Sequence, residues 1–236
     1  PRIDAGKPKG DKDRMRKSSS QKIFSKFCPL FLAGLVSALL YAQAPAIQFG
    51  CSIDAQEQVR ESQALAKSIA SPGDAQWRAK GDLHRKYHFA AANADMPYRL
   101  YVPVSWDGKS KLPLAVMLHG AGSDENWYLD ANDKQLIRLA EKHGYILVSP
   151  LGYTRMGAYG TPLRLPAVFG NPEIAAKQRA AVSADQERTL QLSEKDVINV
   201  LEIVLHEYPV DRASMFLMGH SMGSGGTWYL GAKYAQ

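Results

Sequence analysis

Cysteine is almost absent from this chain of 236 residues, in which only Cys28 and Cys51 occur. Cys28 lies in an apolar run that we expect to be removed, and the single remaining cysteine cannot form an internal disulfide. The sequence therefore predicts a domain that is stabilised by a hydrophobic core and not by a disulfide framework.

An excess of charge is also lacking outside the first part of the chain. The formal net charge is +6, but residues 1–44 hold nine Lys and Arg against three Asp, which leaves twenty residues of each sign in 45–236. A basic leader differs from the basic face of a nucleic-acid-binding domain. We therefore expect no nucleic-acid partner.

Motifs for metals and phosphates are missing as well. The sequence has no Gly-rich phosphate-binding loop of the Walker type. His84 and His88 have a spacing that could place both on one side of a helix, but no Glu follows the first and no third ligand is near. We predict that both are surface histidines and that the protein has no metal and no other cofactor.

Residues 15–44 have the three zones of a secretory signal. Basic residues come first, the apolar run Phe27–Leu40 follows, and Ala42–Ala44 provides a small-residue cleavage site. The alternative is a membrane anchor, but about 14 residues of helix would span only about 21 Å. We expect a secreted or periplasmic protein that contacts the membrane only through this signal, with Met15 as the start and residues 1–14 as a non-native upstream extension.

The domain organisation changes character at Met96. Residues 45–95 are rich in Ala, Gln and Ser and predict a linker or helical preamble, with a helix over Ala55–Ala70 that breaks at Ser71–Gly73. From residue 96 the chain alternates strand-like and helix-like segments, which is typical of an α/β fold with a mostly parallel sheet. We expect the ordered domain to cover residues 96–236.

Within this domain, Leu114–Leu118 is a continuous apolar run, as expected for a parallel strand that is covered on both faces. Ser123 or Asp124 can cap a helix that ends near His143, and a strand over Tyr145–Ser149 follows.

The segment after that strand is rich in Gly, Pro and Arg from Tyr153 to Ser183, and it predicts either a lid or pocket wall or a disordered insertion. Ser193–Asp196 is similar to a capping box and predicts the start of a helix with a wide apolar stripe.

The most informative motif is the G-x-S-x-G turn at Gly219–Gly223. Met215–Met218 predicts a short buried strand before it, and Ser224–Lys233 predicts a helix after it. A serine between a strand and a helix in this way is exposed on a strained turn, where it can act as a nucleophile. Ser221 is therefore the candidate catalytic residue.

Four motifs together, Tyr98–Pro103, Leu118–Gly120, Ser193–Val197 and Gly219–Gly223, resemble the secreted α/β-hydrolases of the polyhydroxybutyrate-depolymerase, feruloyl-esterase and prolyl-oligopeptidase-like group. The resemblance implies an α/β-hydrolase fold and a serine hydrolase that cleaves a small-molecule or polymeric ester through an acyl-enzyme. Two alternatives stay open, a prolyl-oligopeptidase-type serine peptidase and a catalytically dead binding module of the same fold.

The resemblance also implies roles for single residues. Ser221 would be the nucleophile, and the backbone N–H groups of Met222 and Ala121 would form the oxyanion hole. Tyr153 and His220 are the candidate substrate-binding residues.

The triad of this family follows the order serine, acid, histidine. Here the sequence stops at Gln236 and all six histidines lie at or before His220. We expect that this is an N-terminal portion of the fold without its C-terminal strands and without the triad Asp and His, and that it is neither active nor well folded alone. Of the possible substitutes for the base, His220 should point away from Ser221, and His119 is expected to brace its own loop.

Overall fold

The computed structural model describes residues 53–161 and 180–234, together with residues 173, 176 and 177. The predictions for residues 1–14, for the signal over 15–44, for Cys51 and for much of the 153–183 segment lie outside these described residues. The elements in chain order are α1 Ala55–Ile69, β1 Gly81–Phe89, β2 Ala94–Val102, β3 Leu112–Leu118, α2 Trp127–His143, β4 Ile146–Pro150, α3 Ala184–Glu207, β5 Val210–Gly219 and α4 Met222–Tyr234.

The five strands form one sheet in the order β1-β2-β4-β3-β5. β2 pairs antiparallel with both β1 and β4, whereas β3 pairs parallel with both β4 and β5. Strand β3 therefore lies inside the sheet, and the parallel part of the sheet ends at β5.

Helices cover both faces of the sheet. Neighbouring residues of a strand point to opposite faces, so each strand contributes side chains to both layers. Leu100 and Val116 face a large cluster that includes residues of α3 and α4. Tyr101 and Met117 face a smaller cluster that includes residues of α2. The apolar run predicted for β3 is thus explained by burial on both sides. The predicted α/β class, a sheet with flanking helices, is confirmed, and the sheet is mixed, with two antiparallel and two parallel pairings.

The sheet begins earlier than the predicted domain boundary at Met96. β1 pairs with β2 along its whole length, from Gly81 opposite Val102 to Phe89 opposite Ala94, and Tyr87 and Phe89 are buried. Part of the predicted linker is therefore a strand of the sheet. The predicted helix is present as α1, and its residue Ala66 is fully buried in the core. The placement of His84 and His88 on β1 also corrects the idea that they share one side of a helix, because residues four apart on a strand are separated by about 13 Å.

The start of α3 differs from the prediction too. The helix begins at Ala184, and its capping box is formed by Ser183 and Gln186, whose side chains each accept from the other's backbone N–H at 3.2 and 3.0 Å. Ser193–Asp196, the predicted capping box, lies inside the helix. Its Ser193, Glu194 and Asp196 are fully buried, because their side chains bind groups of neighbouring loops and helices.

Helix α2 is irregular near its beginning. It is preceded by Asn126 and not by Ser123 or Asp124, and residues Ala131–Lys134 depart from helical backbone angles. Gly144 ends the helix in a left-handed conformation with φ of 72°, as the predicted glycine terminus requires.

Strand β5 forms one edge of the sheet among the described residues and extends further than the predicted strand, since Asp211 and Arg212 belong to it. Phe216 is 52% exposed and Met218 is 39% exposed. Across the part of the chain that the structure describes, no helix combines the length and the apolar character needed to cross a membrane.

Candidate functional site

Ser221 occupies a sharp turn between β5 and α4. Its φ is 51°, in the left-handed region, and the residue is exposed. Few residues other than glycine adopt this conformation, and it is a form of strain that clusters at active sites. The predicted elbow geometry at Ser221 is thus present.

The two glycines of the motif have no room for a side chain. A Cβ at Gly219 would lie 2.1 Å from the Gly223 carbonyl oxygen, and a Cβ at Gly223 would lie 1.9 Å from the Leu118 carbonyl oxygen. The first glycine therefore lets the turn close on itself. The second lets helix α4 approach the end of β3, where the loop with Ala121 begins.

Met222 is the first residue of α4, and its N–H points out of the helix start. The neighbouring N–H groups are occupied, because Gly223 donates to the His220 carbonyl at 2.8 Å and Ser224 donates to the Ser221 carbonyl at 3.0 Å. Within the described residues the Met222 N–H has no acceptor. A free N–H at the positive end of a helix dipole is suited to bind an anion.

Ala121 lies on the loop that follows β3. The parallel pairing of Leu118 with Gly219 is continued by a hydrogen bond of 3.1 Å from the His220 N–H to the Leu118 carbonyl. The two loops are so close that a Cβ at Gly120 would lie 2.8 Å from His220 Nδ1. The register of the sheet therefore brings the loop of Ala121 to the loop of Ser221.

The Ala121 N–H, like the Met222 N–H, has no hydrogen-bond acceptor among the described residues. Gly122 donates to the Arg155 carbonyl at 2.9 Å and Ser123 donates to the Gly120 carbonyl at 3.1 Å, whereas the Ala121 N–H has no acceptor among the residues that the structure describes. Both predicted oxyanion donors are therefore available on the two loops that meet at Ser221.

No histidine in the described structure hydrogen-bonds to Ser221 Oγ. All six histidines belong to the described residues. His119 is fully buried, and its Nδ1 and Nε2 lie 2.8 Å from the carbonyl oxygens of Gly120 and Leu151. His220 stacks on Trp127, with ring centroids 5.0 Å apart and an angle of 28° between the planes. Among the described residues, the candidate nucleophile Ser221 therefore has no histidine base in hydrogen-bond contact.

The two candidate substrate-binding residues have different surroundings. Tyr153 is half-buried, packs against the core and has its N–H fixed to Asp196 Oδ2 at 2.9 Å. His220 is exposed, and its partner Trp127 borders an open depression. The other residues lining the depression are His84, Ser123, Asp124, Asn126 and Asp130. His220 is therefore accessible to a ligand at the turn, whereas the backbone N–H of Tyr153 holds the loop after β4 to Asp196 on α3.

Sequence reasoning missed the buried polar residues of α3 that hold the loops behind the site. Asp196 accepts hydrogen bonds from Gly152 N at 2.7 Å, Tyr153 N at 2.9 Å and the Tyr87 hydroxyl at 2.6 Å. Burial raises the pKa of Asp196 to about 6, although these three donors act in the opposite direction. A signal existed in the sequence, because Asp196 interrupts the apolar stripe of a helix.

Glu194 has a comparable role between α3 and α4. Its carboxylate accepts from the Tyr229 hydroxyl at 2.8 Å and lies 2.6 Å from Lys233 Nζ. Both partners are on α4, the helix that follows Ser221. Helix α4, which follows Ser221, is therefore tied to α3, the helix that carries Asp196.

Metal ligation finds no support in the described part of the chain, where no cluster of three or more His, Cys, Asp and Glu residues could hold an ion.

No protein-family model and no curated protein sequence matches the chain. Solved structures do match. An S-formylglutathione hydrolase from Agrobacterium tumefaciens is 15% identical over 70% of this chain, with a TM-score of 0.48. A thermostable esterase is 19% identical over 65% of the chain, with a TM-score of 0.41. A CE1 ferulic acid esterase from Anaeromyces mucronatus is 19% identical over 69% of the chain, with a TM-score of 0.42.

The chain spans only part of these three proteins. The matched region covers 57% of the S-formylglutathione hydrolase, 38% of the thermostable esterase and 59% of the ferulic acid esterase.

Proposed function

We propose that the protein containing this chain is a serine hydrolase that cleaves carboxylic esters, with Ser221 as its nucleophile. One observation carries the proposal. Ser221 has a φ of 51° on a turn between a strand and a helix, and the free N–H groups of Met222 and Ala121 belong to the two loops that meet there. This combination is the arrangement that acyl transfer requires.

The chemistry follows from these groups. Ser221 Oγ attacks the ester carbonyl carbon, its proton passes to a base, and the carbonyl oxygen becomes an oxyanion that Met222 and Ala121 bind. When the carbonyl re-forms, the alcohol leaves with that proton and an ester on Ser221 remains. Water then attacks this acyl-enzyme, which releases the acid and restores the serine.

The base is part of the proposal. Each of the six histidines lacks a hydrogen bond to Ser221 Oγ in the described structure. Both ring nitrogens of His119 already lie 2.8 Å from backbone carbonyl oxygens. We propose that a histidine and its carboxylate partner from outside these 236 residues complete the triad. A peptide-bond substrate or a catalytically dead module remains an outcome of the test below.

The proposal includes export, which is supported by the sequence pattern of residues 15–44 alone. N-terminal sequencing of the exported protein tests it, with Pro45 expected as the first residue. A mature terminus before Phe27, or a product that keeps its leader in the membrane, contradicts it.

Ester hydrolysis by the complete natural protein tests the function. We expect Ser221→Ala to lower kcat for a short-chain nitrophenyl ester by on the order of 10⁶, whereas Ser214→Ala, on the same strand but bonded to Asp211, should leave it nearly unchanged. Retention of a tenth or more of the rate by Ser221→Ala contradicts the assignment. If the protein cleaves peptides but not esters, and the cleavage depends on Ser221, the protein is a peptidase. If it hydrolyses neither class of substrate, it is a binding module.

A further inference from the structure

Tyr159 lies where three parts of the site meet. It is fully buried on a short turn over Ala158–Gly160, and its φ of 53° and ψ of 39° are left-handed. The preceding Ala158 has a φ of 60° as well. Two consecutive residues other than glycine in this conformation are unusual, and such strain persists only where the surroundings hold it.

The ring of Tyr159 fills a slot that two glycines make. A Cβ at Gly226, on the nucleophile helix α4, would lie 2.7 Å from Tyr159 Cβ. A Cβ at Gly152, on the loop after β4, would lie 2.4 Å from Tyr159 Cε1. The ring is thus in direct contact with the helix that follows Ser221.

The polar groups of Tyr159 have defined partners. Its N–H donates to Ser193 Oγ on α3 at 2.9 Å, and its hydroxyl donates to the His119 carbonyl at 3.1 Å. The rings of Tyr159 and His119 meet edge to face at 5.7 Å. Burial raises the pKa of Tyr159, which keeps the hydroxyl protonated as a donor.

His119 passes this restraint to the loop of Ala121. Its Nδ1 lies 2.8 Å from the Gly120 carbonyl oxygen, and that oxygen accepts from Ser123 N at 3.1 Å. A trans peptide is planar, so the Ala121 N–H points away from the Gly120 carbonyl. Fixing that carbonyl on one side therefore fixes the direction of the Ala121 N–H on the other.

We propose that Tyr159 is a positioning residue that holds the loop of Ala121 against the nucleophile helix and so sets the geometry of the oxyanion hole. The proposal rests on the proposed function. Tyr159 touches no reacting atom; it acts through the His119 carbonyl on one side and through Gly226 on the other.

Tyr159→Phe in the complete natural protein tests this, since it removes the hydroxyl and keeps the ring. We expect kcat for a nitrophenyl ester to fall about tenfold, less than for the loss of a whole oxyanion donor, with KM within about twofold. A boronic acid that mimics the tetrahedral intermediate should lose affinity by about the same factor. The control is Tyr208→Phe, which removes a buried hydroxyl that donates to the Ala79 carbonyl at 2.7 Å and accepts from Arg85 at 3.3 Å.

Equal kcat values for Tyr159→Phe and Tyr208→Phe, per folded molecule, overturn the proposal. If Tyr159→Phe does not fold, Ser193→Ala replaces it, because it removes the acceptor of the Tyr159 N–H, and an unchanged kcat there overturns the proposal equally. Hydrogen exchange at Gly120–Ser123 gives a readout without catalysis and should be faster in Tyr159→Phe than in the wild type. Loop exchange that is unchanged refutes the positioning role, whereas Ser221→Ala that keeps its activity refutes the proposed function.

Discussion

Asp196 shows how a single buried charge can shape this site. It lies inside α3 and binds the N–H groups of Gly152 and Tyr153, which begin the loop after β4. An ionised carboxylate is costly to bury, yet it is an acceptor that satisfies two backbone donors and a tyrosine hydroxyl at once. An apolar residue of this size would leave those donors unsatisfied.

We expect Asp196→Asn to destabilise the protein by about 1–3 kcal/mol at neutral pH. The Asn oxygen can keep both backbone donors only if its amide nitrogen replaces the oxygen that accepts from the Tyr87 hydroxyl, and that hydroxyl already accepts from Asn199 Nδ2 at 3.2 Å. Denaturant unfolding measures the change. The control is Asp185→Asn on the exposed start of the same helix, for which a change below about 0.5 kcal/mol is expected. An Asp196→Asn protein as stable as the wild type contradicts the account.

The contribution of Asp196 to stability depends on pH with a defined sign. The folded-state pKa of Asp196 is about 6 against an ordinary value of 3.8, so the folded state holds a proton that the unfolded state has lost. Its contribution to the free energy of unfolding therefore falls as pH rises from about 4 to 6, and this part of the dependence should vanish in Asp196→Asn.

At the scale of elements, the turn between β5 and α4 depends on glycine for close approach. Gly219→Ala places a Cβ 2.1 Å from the Gly223 carbonyl oxygen, whereas a Cβ at Gly231, later in α4, meets nothing within 4 Å. We expect Gly219→Ala to abolish ester hydrolysis. Gly231→Ala should keep it and raise the free energy of unfolding by about 0.5–1 kcal/mol, since alanine favours helix. Comparable activity in the two variants would show that the turn tolerates a wider geometry.

Arg99 joins three elements away from the serine. It is 1% exposed on β2 and binds both carboxylate oxygens of Asp82 on β1 at 2.7 Å and Asp130 on α2 at 2.7 Å. The hydrogen bond with Arg99 lowers the pKa of Asp82 to about 2. This bidentate pair links β1, a strand that the sequence did not predict, to β2 through side chains as well as through the backbone pairing.

Asp82 therefore contributes stability that is present above about pH 4 and is lost as pH falls toward 2. We expect the free energy of unfolding of Asp82→Asn to vary less with pH in this window than that of the wild type. Asp133→Asn, whose carboxylate is 98% exposed, should behave as the wild type does. Identical slopes for all three proteins would contradict the role of the pair.

The elements that the sequence predicted well are those decided by local pattern. The apolar run of β3 and the G-x-S-x-G turn are visible because burial on both faces and a left-handed serine each demand particular residue types. β1 was missed because Arg85 and Lys86 dilute its alternation, although its partner β2 follows it directly in the chain. The roles of Asp196 and Tyr159 could not be predicted, because their partners come from loops whose positions depend on the finished fold.

For the whole molecule, the described edge of the sheet at β5 carries exposed apolar side chains. Phe216 and Met218 are 52% and 39% exposed, and Trp228 on α4 is 64% exposed. An apolar edge strand favours association with another chain. We expect the 236-residue chain to self-associate, and Phe216→Lys to reduce this in light scattering. Val104→Lys, at a residue 60% exposed outside the strands, should have little effect. Equal scattering from both variants would show that association has another origin.

Covalent labelling of Ser221 tests the central claim most directly. A fluorophosphonate reacts with an activated serine and leaves a stable adduct that peptide mass spectrometry locates. We predict that the complete natural protein is labelled on the peptide with Ser221 and that Ser221→Ala removes the label. Labelling of another residue, or an unlabelled Ser221 in a protein that hydrolyses esters, would contradict the claim that this serine is the nucleophile.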